Sequence, residues 1–150
     1  MTEAVQYFRQ LLSASGYRVT PQRLAIYAAL TGSRRHPSAD DLYSQVREQY
    51  PMISPATVYN TLQLLVDLGV ATELGFHGET RYDGNPHAHA NILCLKCRRI
   101  FDIDLPGLEE LGRALGRNSD FTIMRQRHEF AGLCPDCRES GQTPAAQKTS

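Results

Sequence analysis

The chain has 150 residues, 41% of them hydrophobic, and its 16 basic and 16 acidic side chains cancel to a formal net charge of zero. That length suits one medium domain or two small ones, and two small cores would each be marginal without a metal or a second subunit. A zero balance excludes a global polybasic handle for nucleic acid or membrane, so any DNA binding has to come from a local patch.

The opening MTEAVQYFRQLL carries an acid, a Tyr and an Arg, and does not read as a secretory signal. No apolar run approaches the ~18 residues that span a bilayer. The expectation is a cytoplasmic protein without membrane association, where clustered cysteines bind metal rather than form disulfides. All basic residues except Lys96 and Lys148 are Arg, which suits phosphate and guanine recognition and equally suits surface ion pairs.

The first helix is expected over EAVQYFRQLLSASG, with Val5, Phe8 and Leu12 inward and Gly16 as the stop. TPQRLAIYAALTG follows, with Thr20 as N-cap, Pro21 at the first turn, and Leu24, Tyr27 and Ala28 inward. SADDLYSQVREQYP begins at Ser38 with Asp41 in capping-box position. SPATVYNTLQLLVDLG starts at Ser54–Pro55 and ends at Gly69. Its apolar face carries Val58, Leu62, Leu65 and Val66, and a polar, nearly uncharged face carries Ala56, Tyr59, Asn60 and Gln63.

After Gly69, VATELGFHGETRYD reads as a hairpin turning at HGE. Short helices, a capped helix and a hairpin fit a winged helix-turn-helix, and also a small helical bundle with a β-ribbon. Beyond it, ANILCL and RIFDID are strands flanking a CxxC, and LPGLEELGRALG is an amphipathic helix through Leu108, Leu111 and Leu115. FTIMRQRHEFAGLC reads as one long alternating strand running into a second CxxC, and the polar tail from residue 139 is expected to be disordered. The pattern is α+β: a helical unit closed by a hairpin over 1–84, a small αβ unit over 85–138, and a tail over 139–150.

All four cysteines fall in two CxxC pairs, Cys94 with Cys97 and Cys134 with Cys137, separated by 36 residues. Two such turns complete a tetrahedral thiolate shell that suits structural zinc. A thioredoxin-like dithiol would need its CxxC to open a helix after a βαβ unit, and neither pair does. His87, His89 and Asn91 remain, on a common side of an extended segment. With carboxylates from Asp83 and Asp102 or Asp104, they suit exchangeable iron(II), manganese or zinc. Singly, each of these residues is more often structural, and spacing takes the argument no further.

GYRVTPQR (16–23), HPSADDLY (36–43), SPATVYNTL (54–62), TRYD (80–83), HAHANILCLKC (87–97), IFDID (100–104) and LCPDC (133–137) together resemble the ferric uptake regulator family of metal-dependent repressors. The resemblance spans residues 3 to 138. It implies that 1–84 form a winged-helix DNA-binding domain and 85–138 a dimerisation and metal-binding domain. It also implies a homodimer binding a palindromic operator in double-stranded DNA, with zinc on the four cysteines and a regulatory iron(II) or manganese(II) at the hinge between domains. The implied regulatory ligands are His36, Asp83, His89, Asn91 and Asp102. The family commonly has His where Asn91 stands, an amide oxygen being a harder and weaker donor, and His87 is an alternative ligand outside the usual pattern. A second metal site of some iron regulators would fall on Ala88, Ala90 and Gln126 with only Glu109 suitable, so it is expected to be absent. His77 and His128 are read as surface or core residues.

Asp102, and Asn60 in place of the Arg common in iron regulators, resemble the peroxide-responsive branch. There, bound iron(II) reacts with hydrogen peroxide and oxidises ligand histidines, here His36 and His89, and DNA is released. The alternatives are an iron- or manganese-responsive repressor without peroxide sensing and, less favoured, a zinc-responsive one. Arg18, Tyr59 and Asn60 are the expected DNA contacts, with Arg23, Arg34 and Arg35 weaker phosphate candidates. No enzymatic activity is expected, and no small molecule besides metal ions and hydrogen peroxide. A dithiol oxidoreductase and a zinc-stabilised protein-interaction module are the rivals from other classes.

Overall fold

The computed structural model describes residues 1–76 and 78–140. His77, at the centre of the expected hairpin turn, and nearly all of the expected disordered tail lie outside the described residues. The chain divides into two compact units, Met1–Pro86 and a second running from His87.

The first unit opens with four helices, α1 (Glu3–Ala14), α2 (Pro21–Thr31), α3 (Ala39–Gln49) and α4 (Pro55–Asp67). Each begins with a hydroxyl cap: Thr2, Thr20, Ser38 and Ser54 accept the N–H of Val5, Arg23, Asp41 and Thr57. Ser38 and Asp41 complete a reciprocal capping box, with the Asp41 carboxylate accepting the Ser38 N–H at 2.9 Å. These caps satisfy amide donors that a helix leaves free at its start. An antiparallel wing, β1 (Thr72–Leu74) with β2 (Arg81–Asp83), follows.

The core of this unit is aliphatic, with Phe8, Leu12, Ile26, Leu30, Leu42, Val58, Leu62 and Leu65 at 0–1% exposure. Phe8 packs on Tyr27 with ring centroids 4.5 Å apart. On α2 the inward face differs from the expected one: Ile26, Tyr27 and Leu30 are buried, Leu24 is half-buried and Ala28 is exposed. Residues 24–30 are all apolar, so periodicity could not choose a face there. Val66 on α4 is half-buried, and Thr61 and Leu64 are buried in addition to the expected residues.

The second unit is a three-stranded sheet in the order β4-β3-β5, formed by β3 (Ala90–Cys94), β4 (Ile100–Ile103) and β5 (Glu129–Gly132). β3 is antiparallel to β4 and parallel to β5. The parallel pairing needs a crossover, supplied by α5 (Leu108–Arg117). The long strand expected over 121–134 is pared down to β5. Residues 121–128 are not in strand, and the short helix α6 (Pro135–Glu139) follows Cys134. Alternation in 121–128 reflects exposed apolar residues rather than pairing, with Phe121 at 76% and Met124 at 84% exposure. No residue of α5 is buried, and Leu111 and Leu115 stand largely exposed. This is the α+β architecture of a winged helix followed by a small αβ unit.

Candidate metal centres

The four cysteines converge in the second unit. Their sulfurs all lie within 4.8 Å of one another, and Cys97 Sγ is 3.9 Å from Cys134 Sγ. Four thiolates at ~2.3 Å from a tetrahedral zinc would stand about 3.8 Å apart, so the set fits that ion closely. Two turns deliver them. Arg98 N–H donates to Cys94 O at 2.9 Å, with Arg98 in the left-handed region at φ +64°, and Arg138 N–H donates to Cys134 O at 2.9 Å. Pairing of β3 with β5 sets Cys94 opposite Gly132, and the Cys134 N–H donates to Cys94 Sγ at 3.4 Å.

Charge at this cluster is already distributed for a cation. Burial pushes Cys94 up, but the N–H groups of Cys134, Cys97 and Lys96 more than offset it and hold its thiol at about 6. The Arg99 side chain holds Cys97 below the ordinary thiol value. Burial and then the thiols of Cys134, Cys94 and Cys97 push Cys137 up to about 12. Zinc binding to such a set requires the thiols to be deprotonated, so it is coupled to proton release.

The expected regulatory ligands form two pairs, each within one unit. In the first unit, His36 Nε2 is 3.9 Å from Asp83 Oδ2, and both residues are buried. β2 arranges this pairing: the Tyr82 N–H donates to Pro37 O at 3.0 Å, and Arg81 Nη1 donates to His36 O at 3.4 Å. Asp83 Oδ1 accepts the Asn85 N–H at 2.8 Å, leaving Oδ2 towards the imidazole. His36 itself has φ +50°, a conformation uncommon for a residue with a Cβ and costing on the order of 1–3 kcal/mol.

In the second unit, His89 Nε2 is 3.7 Å from Asp102 Oδ1. His89 Nδ1 stands 2.6 Å from His87 O, so Nδ1–H donates to that carbonyl and Nε2 is the atom turned to the Asp102 carboxylate. Both His–Asp separations fall within the ~4.3 Å that two donors at ~2.1–2.2 Å can span across one ion.

Asn91 sits in β3 with Asp102 opposite it on β4 and Glu129 on β5, so the three side chains form one row. It is 5% exposed, and its Oδ1 has no hydrogen-bond partner. A buried acceptor without a donor fits a metal-facing oxygen. His87 contributes its carbonyl to orienting His89. His128 lies 2.8 Å from Gln126 Nε2 through its own Nε2.

Arg18, Tyr59 and Asn60 are exposed on the first unit. Arg18 and Asn60 line one groove of about 400 Å3 together with Gln22, Arg23 and Thr57. Arg23 Nη1 donates to Arg18 O, fixing the loop before α2. Gln22 and Thr57 escaped the sequence reading because they stand beside cap residues, where a polar side chain is ordinary.

Residues 14–131 match the sequence profile of the ferric uptake regulator family. The chain belongs to this family.

Family membership is carried by whole-chain likeness as well. The peroxide-responsive repressor PerR of Staphylococcus epidermidis is 39% identical over 131 residues, 87% of each chain. The PerR structure from Streptococcus pyogenes, described for peroxide sensing and gene regulation, is 32% identical with a TM-score of 0.54, covering 91% of this chain and 94% of that one. The Campylobacter jejuni peroxide stress regulator is 27% identical with a TM-score of 0.69, covering 91% and 100%. Among the described residues, no helix of this family member is long and apolar enough to cross a membrane.

Proposed function

We propose that the chain is a cytoplasmic, metal-dependent transcriptional repressor, without enzymatic activity, that binds a palindromic operator as a homodimer and senses hydrogen peroxide. Zinc on Cys94, Cys97, Cys134 and Cys137 is structural. The regulatory ion, iron(II) or manganese(II), is held by His36, Asp83, His89, Asn91 and Asp102. Arg18, Tyr59 and Asn60 contact DNA.

The observation that carries the reading is the pair of buried imidazoles, each turned to a carboxylate at 3.7–3.9 Å. The resemblance of the chain to peroxide-responsive repressors supports the sensing step. Bound to this set, iron(II) would supply one-electron chemistry towards peroxide, and His36 and His89 are the imidazoles placed to gain oxygen. His89 is oriented through its own Nδ1 by the His87 carbonyl, and the Arg81 and Tyr82 contacts fix the backbone at His36 and Pro37. Once oxidised, the imidazoles no longer bind the ion. Loss of the ion then changes DNA affinity by population shift.

Asn91 favours a second reading. Three oxygen donors to two imidazoles make a hard set suited to manganese or iron, and a manganese-loaded repressor would respond to metal alone. One experiment separates them. Anaerobic protein loaded with iron(II) or manganese(II) is bound to a palindromic operator and challenged with a small excess of hydrogen peroxide. Sensing predicts that only the iron form releases DNA, with added oxygen on the peptides carrying His36 and His89. If iron-loaded protein holds DNA through the challenge, the sensing step is wrong and metal homeostasis is the function.

A further inference from the structure

Arg99 lies outside both metal sets, yet its side chain makes three contacts around the cysteine cluster. Its Nε donates to Cys97 Sγ at 3.4 Å. Its Nη2 lies 3.5 Å from Asp136 Oδ2, inside the second CxxC. Its guanidinium lies over the Phe101 ring, 5.3 Å from the centroid. One arginine thus touches the first knuckle through a ligand sulfur and the second through the residue between its two cysteines.

We infer that Arg99 is a positioning residue for the structural zinc: it latches the Cys97 sulfur and offsets the negative charge of a four-thiolate shell. The inference rests on the structural-zinc reading above. A zinc ion with four thiolates carries two net negative charges, and a guanidinium beside one sulfur makes that sulfur a poorer target for protons and competing electrophiles. The Phe101 ring lies 5.3 Å from the guanidinium carbon and adds a cation–π attraction on the same side as the Cys97 contact. The ion pair to Asp136 is solvent-exposed and contributes little by itself. The contact that matters is the donor on sulfur, and groups of this kind change metal affinity by about 10–100-fold.

The test uses the full-length zinc-loaded protein and follows zinc transfer to a metallochromic chelator at neutral pH. Arg99→Ala is expected to release zinc about 10-fold faster or more, and Arg99→Lys, which keeps the charge but not the fork, to fall between. Cobalt(II) exchanged into the cluster gives a second readout: the thiolate charge-transfer band should shift in Arg99→Ala while far-UV circular dichroism does not. If wild-type protein does not retain one zinc per chain, the four-thiolate reading fails. If it does, and both variants release zinc at the wild-type rate with an unshifted cobalt band, the latch is refuted. Should Arg99→Ala fail to fold, Arg99→Lys and Asp136→Asn decide the matter, the first expected to speed release and the second to leave it within about twofold.

Discussion

Replacing Asn91 by Leu should change stability in opposite directions with and without the regulatory metal. Asn91 is 5% exposed and its Oδ1 finds no donor. An orphaned buried acceptor costs about 1–3 kcal/mol. Leu has the same branching, removes that cost and is better suited to a strand. It also forfeits any attraction between the amide N–H groups and the carboxylates of Asp102 and Glu129 in the same row. The net expectation for metal-free protein with zinc in place is a gain of about 1 kcal/mol, or about 2–4 °C in Tm for a chain of this size. Loss of an oxygen ligand should weaken metal binding about 10–100-fold, which at saturating ion removes about 1.4–2.7 kcal/mol of ligand-linked stability. The order then inverts, and wild type becomes the more stable protein by up to about 2 kcal/mol in excess manganese(II). The chain has no Trp, so far-UV circular dichroism at fixed protein concentration is the appropriate probe. A Leu variant that is less stable without metal, yet shows the wild-type shift on adding manganese, would refute Asn91 as a ligand.

Three further outcomes are expected. Asp41→Asn keeps an acceptor for the capping box but removes its charge beside the helix start and Arg81, and should cost about 0.3–1 kcal/mol at pH 7. The Asp41 carboxyl is held below its ordinary range by the Ser38 N–H and hydroxyl and then by Arg81, so its contribution is present above pH ~4 and fades as pH falls through the lowered value; urea unfolding of both proteins should converge in acid. Arg18→Ala should weaken operator binding on all sequences alike and flatten the salt dependence by about one phosphate contact, whereas Asn60→Arg should move preference towards guanine at one position by about 1–3 kcal/mol, both read by fluorescence anisotropy. Cys134→Ser should lose the zinc and melt the second unit, leaving the helical signal of the first, as resolved by hydrogen exchange.

Legibility differed by the kind of signal. Caps were readable because Ser, Thr and Pro at a helix start have a local cause: Thr20, Ser38 and Ser54 cap α2, α3 and α4 as expected, while the Thr2 cap of α1 went unread. The inward face of α2 was not, because its apolar residues run without a polar gap. Apolar alternation at 121–128 resembled a strand, but a strand exists only where a partner pairs with it, and β3 takes residues 129–132. The cysteine cluster followed from spacing. His89 and the carboxylates were candidates by clustering, but His36 came from resemblance alone: nothing local announces that it will meet Asp83, a contact made by the wing reaching back to Pro37. Arg99 was invisible for the same reason, since its target in the second knuckle, Asp136, lies in a distant segment.

The two units also differ in how they hold themselves together. The first has an aliphatic core of large, fully buried side chains. Among the described residues of the second, the buried apolar groups are Ala90, Leu93, Cys94 and Cys134. A segment of this size buries too little surface to be stable on aliphatic contacts, and here two of the four buried groups are sulfurs of the cluster. Zinc therefore supplies folding free energy where the core does not. The same unit leaves Leu111, Leu115, Phe121, Met124 and Phe130 more than half exposed. Isolated exposed apolar residues need no explanation, but five in a unit with so small a core are the complement of that deficit. A second copy covering them would supply the burial that a monomer lacks, so dimerisation and zinc binding address one shortage in the same unit. The first unit carries its own buried apolar cluster, so its burial depends on neither the cysteines nor a second copy.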